Sequence, residues 1–158
     1  MTLKRILLVG ATGTAGRATL DALVADGHEV ICFARSNADL GVKVRVGDAS
    51  DPVSLARDGF RGEAFDTVVS CIASRSGAAR DAWAVDYGVN AVLLEAAQDA
   101  GVGQFILLSA ICVQKPLLEF QHAKLAFEAE LMEAGLNYSI VRPTAFFKSL
   151  SGQLDRVR

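Results

Sequence analysis

Gly10, Gly13 and Gly16 stand three residues apart between the apolar run Ile6-Leu7-Leu8-Val9 and a segment, Ala15 to Asp26, that reads as helix. The first amides of a helix have no partner within it and point at whatever anion lies in front of them. A glycine leaving the strand turns the chain sharply, a second admits a phosphate to bare backbone, and a third lets the helix lie close to the strand. The chemistry this spells is the cradling of a pyrophosphate, with Gly10, Thr12, Gly13, Thr14, Ala15 and Gly16 as its contacts. A tight turn holding nothing uses similar residues, but the strand before and the helix after favour a dinucleotide. Arg35-Ser36 ends the next apolar run, Val30 to Ala34, where folds specific for NAD put an acid on the ribose hydroxyls. An arginine there suits a 2′-phosphate, and hence NADPH. An ordinary surface arginine is the plainer reading of the same residue.

Alternating elements must position these groups. Strands are expected over Ile6–Val9, Val30–Ala34, Val42–Val46, Thr67–Ile72, Phe105–Leu108 and Tyr138–Val141. Helices are expected over Ala15–Asp26, from Asp51-Pro52 with Asp51 as cap, over Asp81–Ala100, and over about Leu118–Ala134. In the long helix Val85, Val89, Val92, Leu93, Ala96 and Ala97 repeat at helical spacing and are expected to form one buried stripe. Strand and helix alternate six times without repeats or linkers, the pattern of a doubly wound parallel sheet in one domain. Asp48-Ala49 after the third strand would lie beside the adenine, as in related folds, and Ala73-Ser74 after the fourth would face the cofactor crevice.

Composition narrows the function. With 158 residues, 51% of them hydrophobic, the chain is long enough to bury an ordinary core. A net charge of -2 leaves no electrostatic footprint for nucleic acid. Apolar runs of four to six residues are too short to cross a bilayer, which leaves peripheral membrane contact open. Cys32, Cys71 and Cys112 have no paired metal-ligand spacing, so no metal site is expected, and they read as buried free thiols of a reducing compartment. No signal or transit segment precedes the first strand, and a bacterial-type cytoplasmic protein is expected.

Three longer stretches are more specific. They are Ser70-Cys71-Ile72-Ala73-Ser74-Arg75-Ser76-Gly77, Leu108 to Gln121, and Tyr138-Ser139-Ile140-Val141-Arg142-Pro143-Thr144-Ala145-Phe146-Phe147-Lys148-Ser149-Leu150. Together with the Gly-x-x-Gly-x-x-Gly spacing they resemble the divinyl chlorophyllide a 8-vinyl-reductase family, NADPH-dependent atypical short-chain dehydrogenases of Rossmann-like fold. The resemblance covers nearly the whole chain. It implies reduction of the 8-vinyl group of a divinyl chlorophyllide or protochlorophyllide to ethyl, in chlorophyll or bacteriochlorophyll synthesis, with the tetrapyrrole as partner. It also implies a carboxyl-terminal portion that helps enclose the pigment, so a truncated chain is expected here, weak in turnover by itself.

Short-chain dehydrogenases usually place a tyrosine four residues before a lysine, as general acid and as holder of the nicotinamide ribose. Here those positions are Phe120 and Lys124. Phenylalanine donates no proton, which disfavours carbonyl reduction, whereas hydride addition to a conjugated vinyl group lets the macrocycle spread the charge before protonation. The resemblance makes Lys124 and Ser109 the catalytic candidates and adds Pro143 and Thr144 to the cofactor contacts. By residue type alone Lys124 is a solvated helix charge, as Glu119, His122, Glu128 and Glu130 are expected to be, while Tyr87 and Asn90 would anchor the long helix. A reductase of another conjugated substrate, an NADP-binding regulator without catalysis, and a scaffold with an empty turn remain open.

Overall fold

The computed structural model of the chain describes residues 2–144 and 146. Six strands, β1 (Arg5–Val9), β2 (Glu29–Ala34), β3 (Lys43–Val46), β4 (Thr67–Ser70), β5 (Gln104–Leu108) and β6 (Asn137–Val141), alternate with helices. These are α1 (Thr14–Ala25), α2 (Pro52–Ser54), α3 (Ala79–Ala82), α4 (Asn90–Asp99) and α5 (Glu119–Glu133). All neighbouring strands are parallel, in the order β3-β2-β1-β4-β5-β6. This is the doubly wound sheet expected. The order reverses between β1 and β4, and the crevice outside the carboxyl ends of those strands is where open sheets of this kind take ligands.

Alternation along the strands divides the core in two. Leu7, Val9, Ile31, Phe33, Val68, Phe105 and Leu107 pack with Leu93 and Leu94 of α4 and Phe127 and Leu131 of α5. The residues between them, Ile6, Leu8, Val30, Cys32 and Val69, pack on the other face with Leu20 of α1 and with Leu40. Each large side chain so buried stabilises the fold by about 1.5–3 kcal/mol. A strand apolar on both faces reads as a continuous run, which is why β1, β2 and β4 were legible. Helix ends follow their residues as well. Asp51 accepts from the Val53 amide at 3.0 Å with Pro52 beginning the helix, and Gly27, at φ 83°, closes the turn after α1.

The region Asp81–Ala100 departs from simple periodicity. Between α3 and α4 the chain makes a π-helical segment, Trp83–Val89, and a second one, Leu55–Phe60, follows α2. A π turn holds one residue more than an α turn, so residues before it rotate to a different face. Of the expected stripe, Leu93 and Ala97 are buried, while Val85, Val89, Val92 and Ala96 are only half-buried. Asp86 and Asn90 take the inner face instead. The cysteines differ too: Cys32 is buried, and burial pushes its thiol up to about 11, but Cys71 is half-buried and Cys112 is exposed in the loop after β5. All three are free. Apart from Phe146, the apolar stretch Ala145-Phe146-Phe147 and the tail to Arg158 lie outside the described residues.

A charged knot ties β1 and β3 to the second π-helical segment. Arg45, buried on β3, donates to the carbonyls of Gly59 and Phe60 and pairs with Glu63 at 2.7 Å, and Arg5 pairs with the same carboxylate. Both guanidiniums lie against the Phe65 ring, at 4.9 and 5.6 Å from its centre. The hydrogen bonds from Arg45 and then Arg5 hold the Glu63 carboxyl at about 2, below its ordinary 4.5. A depressed carboxyl contributes stability above its ordinary value and loses it as pH falls through the folded one. The Tm of the parent is therefore expected to fall more steeply than that of Glu63→Gln between about 4.5 and about 2. Parallel melting curves of the two proteins across that range would show that the knot does not respond to pH.

Candidate functional site: the crevice at the end of β1

β1 ends at Val9, and Gly10 turns the chain at φ 90° so that the Gly13 amide donates to the Gly10 carbonyl at 3.1 Å. The three glycines have different reasons to be glycine. A Cβ on Gly10 would lie 2.6 Å from the backbone of Cys71, just past β4. One on Gly16 would lie 2.0 Å from the Gly10 carbonyl oxygen. Gly13 has an extended backbone, φ -78° and ψ 165°, and its added Cβ would meet only the Gly10 oxygen at an ordinary 3.5 Å. Nothing in the protein requires a glycine there, so the space it leaves fits a ligand. Gly13 is the cap of α1, no side chain caps the helix, and its first turn has no acid. Thr12, Gly13 and Thr14 are exposed, Ala15 half so, and the open helix end suits a phosphate.

Neighbouring strand ends supply the rest. Arg35 and Ser36 follow β2, exposed, and Arg35 makes no salt bridge among the described residues. After β3 the Asp48 carboxylate accepts from the Ser50 hydroxyl and amide, which hold it below the usual range, helped by the charge of Arg35; Ala49 beside it is half-buried. Ala73 is exposed after β4, but the Ser74 amide is already engaged, donating to Asp86 Oδ1 at 3.3 Å. The Ser109 amide donates to the Val141 carbonyl, and the carbonyl of Pro143 accepts from Ile111, so the loops after β5 and β6 are tied together beside exposed Thr144.

Lys124 is not a solvated charge. Its side chain is 6% exposed, and Nζ lies 3.0 Å from Asp86 Oδ1, itself on a side chain 1% exposed. Asp86 Oδ2 and Ser109 Oγ are buried without a hydrogen-bond partner among the described residues. Asp86 was not among the sequence candidates, because an acid on a helix reads as solvent-facing until its partner is known. Glu128 corrects the sequence reading in the same way, being fully buried and paired with Arg142 at the end of β6. Glu119 and His122 are exposed as expected, Glu119 accepting from the Trp83 indole at 3.1 Å, whereas Glu130 is half-buried and its carboxylate pushes the Tyr87 hydroxyl up. Asn90 is buried and accepts from the Ser70 hydroxyl at 2.5 Å. Phe120 is half-buried beside Gly77. Among the described residues no three His, Cys, Asp or Glu side chains gather as a metal site, and no helix is long and apolar enough to cross a membrane.

Comparison with known proteins agrees with this geometry. The chain is 46% identical to the chloroplastic divinyl chlorophyllide a 8-vinyl-reductase of Cucumis sativus, over 97% of its own length and 41% of that protein. It is 32% identical to the photosystem II assembly factor Ycf39 of Cyanophora paradoxa, over 94% of the chain and 47% of the relative. The chain thus spans less than half the length of these curated relatives. Among solved structures, the Bordetella bronchiseptica enzyme WbmH in complex with NAD+ superimposes with a TM-score of 0.78 at 14% identity, covering 99% of this chain and 64% of that one. That likeness shows the fold. A sequence profile described as NAD(P)H-binding matches residues 10–156, from the first glycine of the turn through β2 to β6, and the chain belongs to that NAD(P)H-binding family.

Proposed function

We propose that the chain is the NADPH-binding portion of a reductase that converts the 8-vinyl group of a divinyl chlorophyllide or protochlorophyllide to ethyl. The observation that carries the reading is identity of 42–46% to four plant divinyl chlorophyllide a 8-vinyl-reductases across 97% of the chain. Bound NADPH would supply the hydride. The chain's residues do the rest: the turn Gly10–Gly16 and the amides of α1 hold the pyrophosphate, Arg35 and Ser36 meet the 2′-phosphate, and Lys124 and Ser109 lie at the end of the crevice. Phe120 offers no proton, which suits an alkene conjugated to a macrocycle better than a carbonyl whose oxyanion needs a proton at once. Three free cysteines fit a reducing compartment such as the cytoplasm.

The test is an assay with NADPH and divinyl chlorophyllide. A protein extended to its relatives' length is expected to form the monovinyl product, and the 158-residue chain to bind NADPH with little turnover. An extended, folded protein that binds NADPH and makes no monovinyl product would overturn the reading. It would favour the second one, a non-catalytic NADP-binding factor, which the matches to photosystem II assembly factors at 27–32% identity support.

Cofactor choice follows from Arg35. One charge-assisted hydrogen bond is worth about 1.5–3 kcal/mol, or roughly tenfold to a hundredfold in affinity. Arg35→Ala is expected to weaken NADPH by that factor and leave NADH unchanged, as read by fluorescence titration. Equal affinity of the parent for the two nucleotides would remove Arg35 from the site.

A further inference from the structure

The buried pair of Asp86 and Lys124 is poorly explained as a stability device. Taking two charges out of water costs about as much as their attraction returns, and apolar residues of similar volume often serve a core as well or better. The protein nevertheless builds several devices to place this carboxylate. The π-helical segment Trp83–Val89 turns Asp86 inward. Asn90 donates to the Asp86 carbonyl at 3.0 Å and is itself bonded to Ser70, the last residue of β4. The Ser74 amide, in the loop after that strand, donates to Asp86 Oδ1. The carboxylate is thus referred to the carboxyl end of a central strand, and it meets Lys124 from the neighbouring helix α5 there. π turns of this kind are frequent at functional sites.

We propose that Asp86 is the positioning residue of the site: it fixes the Lys124 ammonium at the end of the crevice, so that the lysine is in place for the nicotinamide-ribose half of the ligand. The inference rests on the dinucleotide reading above. An ammonium has three donors, and Asp86 takes one, leaving the others for a polar ligand. Without the carboxylate the lysine has no counter-charge where it lies, and a long flexible side chain then leaves for water.

A binding cycle tests this. NADPH and adenosine 2′,5′-bisphosphate, which lacks the nicotinamide ribose, are titrated into the parent chain, Asp86→Asn, Lys124→Met and the double variant. Asp86→Asn is expected to weaken NADPH at least about tenfold, the effect of one lost charge-assisted contact, and to leave the bisphosphate unchanged. The double variant should bind NADPH no more weakly than Lys124→Met, because Asp86 acts through the lysine. Parent-like NADPH affinity in Asp86→Asn would overturn the proposal, and so would equal weakening of both ligands, which marks a structural role. Should the single variants unfold, Asp86→Leu/Lys124→Met removes both charges and is expected to fold. It should then bind the bisphosphate normally and NADPH weakly, and normal NADPH binding would overturn the proposal. A parent chain that binds neither ligand would instead defeat the dinucleotide reading and this inference with it.

Discussion

Gly13→Val is expected to abolish NADPH binding while leaving the fold standing. The backbone at this position is extended, a conformation that valine adopts freely, and the first side-chain carbon would make only one ordinary contact, with the Gly10 oxygen at 3.5 Å. Loss of a glycine cap from a helix costs at most about 1 kcal/mol. The new side chain would instead project into the open space before α1, where a phosphate has to come within hydrogen-bond distance of bare amides. Displacing a pyrophosphate from two such amides forfeits about 3–6 kcal/mol at the usual value of a charge-assisted bond, or roughly a hundredfold to ten-thousandfold in affinity. Fluorescence titration with NADPH beside a thermal melt reads both halves. An unchanged affinity would show that the turn is not the site, and a collapsed melt would show that Gly13 serves the fold after all.

Gly16→Ala, three residues on, is expected to give the opposite result. Helix propensity alone would make alanine the better residue by about 1 kcal/mol. Packing decides against it, because the methyl would lie 2.0 Å from the Gly10 carbonyl oxygen and 2.9 Å from the Ala11 α-carbon, both parts of the backbone. Neither can rotate away, so α1 must move off the end of β1. Overpacking of this severity costs about 3 kcal/mol or more, a large share of the roughly 5–15 kcal/mol that holds a domain together. A fall in Tm of about 10 °C is expected at this chain length. A variant that melts with the parent would mean that the helix has room to shift, and that the closeness of α1 to β1 is not a constraint.

These two outcomes also mark how far the sequence could be read. The turn was legible because each glycine sits where strand becomes helix, and the sheet because β1, β2 and β4 are apolar on both faces. The interior of the site was not. Placing Val85 and Val89 in the core assumes that one α period runs from Asp81 to Ala100, and the wide turn at Trp83–Val89 breaks that assumption. Asp86 and Glu128 look like solvent-facing acids because the cations that make their burial tolerable, Lys124 and Arg142, lie on other elements. Lys124 could be named through its spacing from Phe120, but its counter-charge carried no signal in any local window. Short-range patterns disclose backbone geometry, whereas a buried charge becomes intelligible only with its partner.

The π turn bears on how this region tolerates insertion and deletion. Loss of any one residue from Trp83–Val89 would let α3 run straight into α4 as an ordinary helix, with no harm to its backbone hydrogen bonds. It would also rotate the preceding residues by about 100°. Where the excised residue follows Asp86, the rotation carries that carboxylate out of its alignment with Asn90 and Lys124. A change of reading length that looks harmless by helix propensity would therefore act on the crevice as a substitution of its innermost carboxylate, and the segment should accept exchanges of side chain far more readily than changes in length.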